Sequence, residues 1–307
     1  QLFNISNGCW DQKLCDLFQV SMDMLPTVND SSYYFGETKN VPGLSDGIPI
    51  ASSIGDSHGA LFGHTAFQVG DGKVTFGTGS SLMITLPNFT VPPKGLTTTI
   101  AWSLNGRSTF AIEGNIFVSA SLLPWVAEML GIQSVEALIS LAQTVNTTDG
   151  VVLVPAHVGL GAPHWDSNAR GLISGLTFNT KPAHIALAAL DRVALQVQDI
   201  FNIVASHTET AIKNIYVDGG ASRNDFIMSL VADYLNHPVI KCTSAEASAR
   251  GAAFLAGLAV SFWPDLEDLS QLQSSGPTIK PKISSSIRRN ILNNWRVAIQ
   301  RTTLNVS

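Results

Sequence analysis

Cysteine is scarce in this sequence, which has only Cys9, Cys15 and Cys242 among its 307 residues. The three residues form neither a Cys-x-x-Cys pair nor the spacing of a zinc site, and their number is odd. A disulfide framework and a structural zinc site are therefore excluded. We expect three buried thiols and a reducing, cytoplasmic compartment.

Positive charge is also sparse. The chain has 18 basic and 23 acidic residues, for a formal net charge of -5, and its longest basic run is the pair Arg288 and Arg289. A surface that binds nucleic acid needs clustered positive charge, so we expect no nucleic-acid partner. An anionic ligand would have to be held locally, by backbone N–H groups or by a metal ion.

Long hydrophobic runs are missing as well. The longest apolar stretches, such as Ala252–Trp263, are shorter than the roughly 20 residues that a membrane-spanning helix needs. Hydrophobic residues still make up 45% of the chain, which is typical of a globular protein with an apolar interior. We expect a soluble enzyme without a membrane partner, and assembly into a homo-oligomer stays open.

The start of the sequence is unusual, because Gln1 stands where an initiator methionine would. The chain enters at once a segment, Leu2–Leu17, whose pattern is typical of the middle of a domain. We therefore expect a fragment of a longer chain.

Short β-rich runs alternate with segments of helical period. The runs Val74–Phe76, Val151–Val154 and Ile215–Val217 each lead into a Gly or Pro turn, and they predict strands of a mostly buried sheet. Apolar residues recur every three or four positions in Ile185–Val204 and Ile227–Leu235, which predicts two helices that pack one face on that sheet. The alternation predicts an α/β domain.

One acidic residue stands between glycines in the segment Ile54–Gly63, where Gly55-Asp56 precedes an apolar run of helical character. A carboxylate in this setting can face a cleft at low steric cost. The alternative is a plain helix cap or turn residue, since Asp is favoured at both.

A second segment, Phe76–Ser81, contains Gly77-Thr78-Gly79. Its glycines allow a close backbone turn, and its N–H groups and hydroxyls can meet phosphate oxygens. A turn without a ligand is the alternative, because glycine is common in turns.

A third segment, Val217–Asn224, places small residues directly after a strand and before a helix, so that a flat nucleoside can lie against exposed backbone. A Rossmann-like turn is the alternative, although Gly-x-Gly-x-x-Gly is absent. Asn224 also precedes the predicted second helix, where it can act as its N-cap. A fourth segment, Glu246–Gly257, is rich in small residues and predicts a helix that another helix approaches closely.

In this order and spacing, the four segments resemble the FGGY carbohydrate kinases, members of the actin, heat-shock ATPase and hexokinase-like superfamily. Gly171–Leu176, His184-Ile185 and Ala188–Asp191 match the family's C-terminal signature. The resemblance implies an RNase H-like α/β domain at residues 66–307, preceded by the end of the family's N-terminal domain at residues 1–65. Further segments that look like the glycerol kinase branch are Gly95–Ala101, Val154–Ala156 and Gly159–Asp166.

The resemblance implies that ATP, with Mg²⁺, phosphorylates a hydroxyl of a small sugar or polyol. The Asp of the family's Gly-Asp motif takes the proton of the attacking hydroxyl close to the magnesium-bound γ-phosphate, so Asp56 is implied as catalytic base and as a Mg²⁺ ligand. The family's Gly-Thr-Gly turn touches the phosphates, and its Asp-Gly-Gly-Ala segment contacts adenosine. The implied ATP-binding residues are Gly77, Thr78, Gly79, Ala120, Pro124, Gly220, Ala221 and Asn224.

Ser57 and Ser81 depart from the glycerol kinase pattern, which commonly has Gln after the catalytic Asp and an aromatic residue two positions after Gly-Thr-Gly. Both positions line the polyol site in that branch, so these serines and Asp56 are the implied substrate-binding residues. Two short hydroxyl side chains predict a roomier, more polar pocket, suited to glycerol or to a larger polyol or ketose. Pro124 also replaces a Gln that often lies near the adenine.

The family's N-terminal domain supplies a phosphate loop, a magnesium ligand and most sugar contacts, and none of these is visible in the sequence. We therefore expect the chain to depend on a missing N-terminal domain and to be inactive alone. Two alternatives stay open. One is a non-catalytic ATP-binding module of the actin or heat-shock type, and the other is a truncated regulatory fragment of the same fold.

Overall fold

The computed structural model describes residues 1–207, 210–243, 246–273 and 275–303. The helices of the described residues are α1 (Gln12–Phe18), α2 (Asp56–Gly63), α3 (Leu122–Met129), α4 (Val135–Ala142), α5 (Pro182–His207), α6 (Asp225–Leu235), α7 (Ala247–Ala259), α8 (Leu266–Gln271) and α9 (Ser285–Thr303). The strands are β1 (Phe3–Asn4), β2 (Cys9–Trp10), β3 (Ser32–Glu37), β4 (Pro49–Ser52), β5 (Gly72–Phe76), β6 (Ser80–Leu86), β7 (Thr97–Leu104), β8 (Arg107–Ile116), β9 (Val152–Val154), β10 (Leu172–Ser174), β11 (Ile215–Asp218), β12 (Val239–Cys242) and β13 (Ser275–Ile279).

Among the described residues, the main sheet has seven strands in the order β13-β12-β11-β5-β6-β8-β7. Strand β5 lies at its centre, parallel to β11 and antiparallel to β6. This sheet contains the predicted strands Val74–Phe76 and Ile215–Val217, and the predicted α/β class is confirmed. The carboxyl ends of β5 and β11 lie side by side, so the turns after Phe76 and Asp218 meet at one edge of the sheet.

The strand predicted at Val151–Val154 forms, as β9, but its expected place in the buried sheet was wrong. It pairs antiparallel with β10 in a separate ribbon of two strands. Leu153 and Val154 are buried in the same apolar cluster as residues of α5, such as Leu190. The run Val151–Val154 is therefore apolar because the ribbon packs against α5.

Both predicted helices are present, as α5 and α6. Asn224 caps α6, since its side-chain oxygen accepts a hydrogen bond from the Ile227 N–H at 3.1 Å. The predicted N-cap is thus confirmed. Among the described residues, none of the helices combines the length and the apolar character that a membrane crossing requires.

Helices α2 and α7 pack closely, because small residues line their contact. A Cβ atom on Gly251 would overlap the carbonyl oxygen of Gly59, and one on Gly63 would overlap the carbonyl oxygen of Ala247. This confirms the close helix approach predicted from Glu246–Gly257. The packing fixes α2, whose first residue is Asp56, against the second half of the chain.

The three thiols differ in burial. Cys15 is buried and Cys242 is partly buried, whereas Cys9 is exposed. The expectation of three buried thiols was therefore wrong for Cys9, because the short ribbon of β1 and β2 leaves that side chain at the surface.

Candidate active site

Two neighbouring cavities open beside the carboxyl ends of β5 and β11, and Gly77 lines both. The first has a volume of about 470 Å³ and the second about 580 Å³. The first is lined by all the residues predicted to bind substrate, which are Asp56, Ser57 and Ser81, together with two predicted to bind ATP, Gly77 and Gly79. The second is lined by the predicted ATP-binding residues Gly77, Thr78, Ala120, Pro124, Gly220, Ala221 and Asn224.

Asp56 is the first residue of α2, and its exposed side chain lines the first cavity. Gly55, in an extended conformation, takes the N-cap position, so Asp56 is not the cap itself. One carboxylate oxygen accepts a hydrogen bond from the Ser57 N–H at 2.6 Å. A carboxylate at this position can accept a proton from a ligand in the cavity.

The Gly77-Thr78-Gly79 turn joins β5 to β6 at the boundary of the two cavities. The Gly77 N–H donates to the Gly79 carbonyl at 2.9 Å, and the Thr78 carbonyl accepts from the Ser119 N–H at 2.9 Å. A Cβ on Gly79 would overlap the Ile116 carbonyl oxygen, so close backbone approach requires glycine there. At Gly77 the nearest atom to a Cβ is 3.5 Å away, which leaves its backbone open to a ligand.

The Asp218–Asn224 loop packs against this turn. Gly219 has φ +86°, and a Cβ there would overlap the backbone of Phe76, the residue that precedes Gly77. Next to it, a Cβ on Gly220 would have no atom within 4 Å. The loop is therefore fixed against the turn on one side and presents bare backbone to the second cavity on the other.

The far end of the second cavity has apolar walls that the sequence analysis did not identify. Helix α3 contributes Leu123, α4 contributes Val135 and Ile139, and α6 contributes Ile227. A slot with apolar walls and exposed backbone at one edge suits a flat aromatic ring with polar atoms at its rim.

Lys73 is the most unexpected residue of the first cavity. Its side chain is fully buried, and its Nζ donates hydrogen bonds to Ser57 Oγ at 2.7 Å, Thr75 Oγ1 at 3.0 Å and Ser81 Oγ at 3.2 Å. Burial lowers the pKa of Lys73 to about 8, although the charges of Asp218, Glu113 and Asp56 act in the opposite direction. The ammonium group of Lys73 thus lies behind Ser57 and Ser81, the two serines predicted to bind substrate.

A buried ion pair lies under the same turns. Nε2 of His64, at the end of α2, is 2.6 Å from Oδ2 of Asp218. Burial opposes the charged imidazole, but hydrogen bonds and charge from Asp218 and Cys242 outweigh it and raise the pKa of His64. Burial also opposes the charged form of Asp218, an effect that by itself would raise its pKa. The hydrogen bonds of His64 and Thr75 and the charges of His64 and Lys73 outweigh burial, so the pKa of Asp218 is lowered.

The first cavity contains one carboxylate that could bind Mg²⁺, that of Asp56. Within the described ranges, no cluster of three or more His, Cys, Asp and Glu side chains is placed to hold a metal ion. Mg²⁺ in phosphoryl-transfer sites needs only one or two carboxylates, with phosphate oxygens and water as its other ligands. The exposed carboxylate of Asp56, beside Gly77 in the first cavity, fits that partial role.

The chain matches two domain models of one family. Residues 72–260 match the C-terminal domain of the FGGY family of carbohydrate kinases, and residues 1–63 match the N-terminal domain of that family. The resemblance found in the motifs is confirmed. The domain boundary at residue 65 stays a prediction.

Curated relatives include kinases for different substrates. The chain is 42% identical over 303 residues to a glycerol kinase of Bdellovibrio bacteriovorus, and 42% identical over 306 residues to an apulose kinase of Pectobacterium atrosepticum. These alignments cover 98% and 99% of this chain. The chain spans 61% and 62% of the length of those relatives.

Solved structures confirm the predicted fold class. The crystal structure of Plasmodium falciparum glycerol kinase with ADP matches with a TM-score of 0.91 and 32% identity, over 99% of this chain and 62% of that one. A xylulose kinase from Lactobacillus acidophilus matches in fold with a TM-score of 0.87 at 19% identity, over 100% of this chain and 63% of that one. The fold is that of the actin and hexokinase-like superfamily.

Proposed function

The chain belongs to the FGGY family of carbohydrate kinases, and we propose that it carries the catalytic base and the nucleotide site of a kinase that phosphorylates a sugar or polyol hydroxyl with ATP. The shared position of Gly77, which lines both cavities, supports this most strongly. A phosphoryl group held at Gly77 would lie between a nucleotide in the second cavity and an acceptor hydroxyl in the first. Phosphoryl transfer depends mainly on such positioning.

Each side chain has a defined part in the proposed reaction. Asp56 accepts the proton of the attacking hydroxyl as the oxygen–phosphorus bond forms and the bond from the γ-phosphorus to the β–γ bridging oxygen breaks, which releases ADP. The N–H group and hydroxyl of Thr78, beside the open backbone of Gly77, hold the phosphates, and the open backbone at Gly220 receives the nucleoside. Magnesium, held in part by Asp56, would neutralise charge on the phosphates.

The acceptor in this proposal is glycerol or a larger polyol or ketose. The printed names of the relatives include kinases for glycerol and for apulose, so the family contains acceptors of more than one size. Ser57 and Ser81 place hydroxyl groups on the wall of the first cavity, and their side chains are short, which leaves space for the acceptor. We expect a larger kcat/KM for an acceptor of four or more carbons than for glycerol.

The chain alone would be a poor catalyst under this proposal. It spans about three fifths of the relatives that it matches, so the phosphate loop and most sugar contacts would come from a preceding N-terminal segment. The two matched family segments, residues 1–63 and 72–260, are consistent with a division near residue 65.

A phosphorylation screen of the full-length protein tests the proposal. ADP release would be measured with ATP and Mg²⁺ against glycerol, tetritols, pentuloses and hexuloses, and the product ester would be identified by mass spectrometry. Phosphorylation of at least one acceptor supports a kinase. ATP binding without phosphorylation of any acceptor would favour the alternative of a non-catalytic module or truncated regulatory fragment.

A further inference from the structure

We propose that Lys73 is a positioning residue for the sugar, whose buried ammonium orients the hydroxyls of Ser57 and Ser81 so that they donate a hydrogen bond to an acceptor oxygen of the substrate. The inference rests on the proposed function, since it assigns the first cavity to the sugar. It adds a residue that does not touch the reacting atoms.

The register of the sheet brings this cluster together. Lys73 and Thr75 are two residues apart on β5, so their side chains share one face. Thr75 pairs with Ser81 across β5 and β6, and Ser57 reaches the same point from the first turn of α2. Three elements therefore converge on one ammonium group.

Hydrogen-bond direction at the cluster follows from the ammonium. Protonated lysine only donates, so Ser57 Oγ and Ser81 Oγ both act as acceptors toward it. The two hydroxyl oxygens are 3.1 Å apart, so one hydroxyl proton is used between them. The Met83 sulfur, 3.5 Å from Ser57 Oγ, is a weak competitor, which leaves the second hydroxyl proton for an acceptor in the cavity.

The substrate chemistry follows from this polarity. Both serines are partly exposed and line the cavity, whereas Lys73 is fully buried and acts through them. The wall offers a polarised O–H donor, so it fits an oxygen with free lone pairs, such as a ketose carbonyl or a polyol hydroxyl that donates elsewhere. Correct placement of that oxygen would set the position of the hydroxyl facing Asp56.

The charge of Lys73 is not balanced by direct contact. In the part of the chain that the structure describes, no carboxylate lies within ion-pair distance of its Nζ. The charged or titratable groups that face it at longer range are Asp218 on β11, Glu113 on β8, and Asp56 and His58 on α2. Because burial lowers the pKa of Lys73 to about 8, a modest rise in pH removes the proton. The neutral amine has a lone pair that can accept from a serine, which turns the hydroxyl proton away from the sugar.

The test uses the full-length protein and the best acceptor from the screen. Lys73→Met keeps the length of the side chain and removes every donor. We expect it to raise the KM for the sugar at least about tenfold, the effect of roughly one lost hydrogen bond, and to leave the KM for ATP within about twofold. In the wild type the sugar KM should rise as the pH passes about 8, and in Lys73→Met it should stay flat.

Tyr234→Phe is the matched control, because it removes a buried hydrogen bond to Asp191 that lies outside both cavities. It should lower stability without changing either KM.

An unchanged sugar KM and an unchanged pH profile in a folded Lys73→Met variant would overturn the inference while leaving the kinase intact. If Lys73→Met does not fold, Ser57→Ala and Ser81→Ala replace it. Loss of the pH dependence in both supports the inference, and its retention overturns it. A wild type that phosphorylates no acceptor overturns the proposed function itself.

Discussion

The imidazole of His64 and the carboxylate of Asp218 form a buried pair 2.6 Å apart, and this pair joins the helix of Asp56 to the loop that begins the Asp-Gly-Gly-Ala segment. His64 directly follows α2 and Asp218 ends β11, 154 positions further along the chain. The pair thus ties together the two segments that carry Asp56 and the Asp218–Asn224 loop. The stacked ring of Tyr216 covers the imidazole on one face.

We predict that His64→Gln lowers the free energy of unfolding by about 3 kcal/mol near pH 6, because it leaves a buried carboxylate without its cation. The pKa of His64 is raised from 6.5, so its contribution is complete below pH 6.5 and is lost as the pH rises through the raised value. The pKa of Asp218 is lowered from 3.8, so its contribution is complete above pH 3.8 and is lost as the pH falls through the lowered value.

Urea unfolding at several pH values measures the difference in unfolding free energy between His64→Gln and the wild type, which should be largest between about pH 4 and pH 6.5. A variant as stable as the wild type at pH 6 would contradict the prediction.

A second prediction concerns Lys73 and alkaline pH. Its pKa falls from 10.5 to about 8 on burial, which corresponds to a cost of about 3 kcal/mol for keeping the charge below pH 8. Between about pH 8 and pH 10.5 the unfolded chain binds more protons at this residue than the folded chain does, so the residue's contribution to stability rises with pH. The difference in unfolding free energy between wild type and Lys73→Met should therefore shift in favour of the wild type across this range.

That comparison isolates Lys73, because Tyr216 and Tyr234, whose pKa values are raised, titrate in both proteins. Circular dichroism with urea at pH 7, 8, 9 and 10 gives the data. A difference that does not change with pH would show that Lys73 keeps an ordinary pKa.

A third prediction distinguishes the roles of the two glycines in the Gly77-Thr78-Gly79 turn. Gly77→Val should weaken ADP and ATP binding at least about tenfold while the protein stays folded, because its Cβ would lie 3.5 Å from the nearest atom, the Gly79 carbonyl oxygen, and its methyl groups would fill the space that a phosphate would use. Gly79→Ala should instead destabilise the fold by about 1–3 kcal/mol, because its Cβ would overlap the Ile116 carbonyl oxygen. Calorimetric titration with each nucleotide and thermal unfolding distinguish the two effects. Unchanged nucleotide affinity in Gly77→Val would assign that turn to structure alone.

The parts of this candidate site that could be predicted from the sequence are its glycine turns and a helix cap, where the backbone conformation restricts the residue type. Gly77 directly follows β5, Gly79 directly precedes β6 and Gly220 lies two residues after β11. Only a small residue leaves room for a turn or a ligand at these strand ends, so their motifs could be recognised without a structure. Asn224 was predicted as a cap from its position before an apolar period, and its bond to the Ile227 N–H bears this out. These signals are local.

The features that the sequence did not predict depend on contacts between distant segments. Lys73 is one basic residue in an apolar strand, and its meeting with Ser57 and Ser81 depends on the register of β5 with β6 and on the docking of α2. The partner of His64 depends in the same way on α2 meeting β11. The apolar run of β9 could be predicted as a strand, but the helix that it covers could not, because periodicity does not specify the partner surface.

The last prediction concerns Asp56, the proposed catalytic base. Asp56→Asn keeps the size of the side chain and its bond from the Ser57 N–H, but the amide is unable to take a proton from the attacking hydroxyl. We expect kcat of the full-length protein to fall by about 100-fold or more, in line with the usual contribution of a general base. The dissociation constant for ADP measured without Mg²⁺ should stay within about twofold, since Asp56 lies in the first cavity and outside the second. Asp16→Asn, at an exposed position on α1, is the matched control and should leave both quantities unchanged. A near-normal kcat in Asp56→Asn would remove this carboxylate from the proton transfer, and the positioning of phosphate and acceptor around Gly77 would then have to account for catalysis alone.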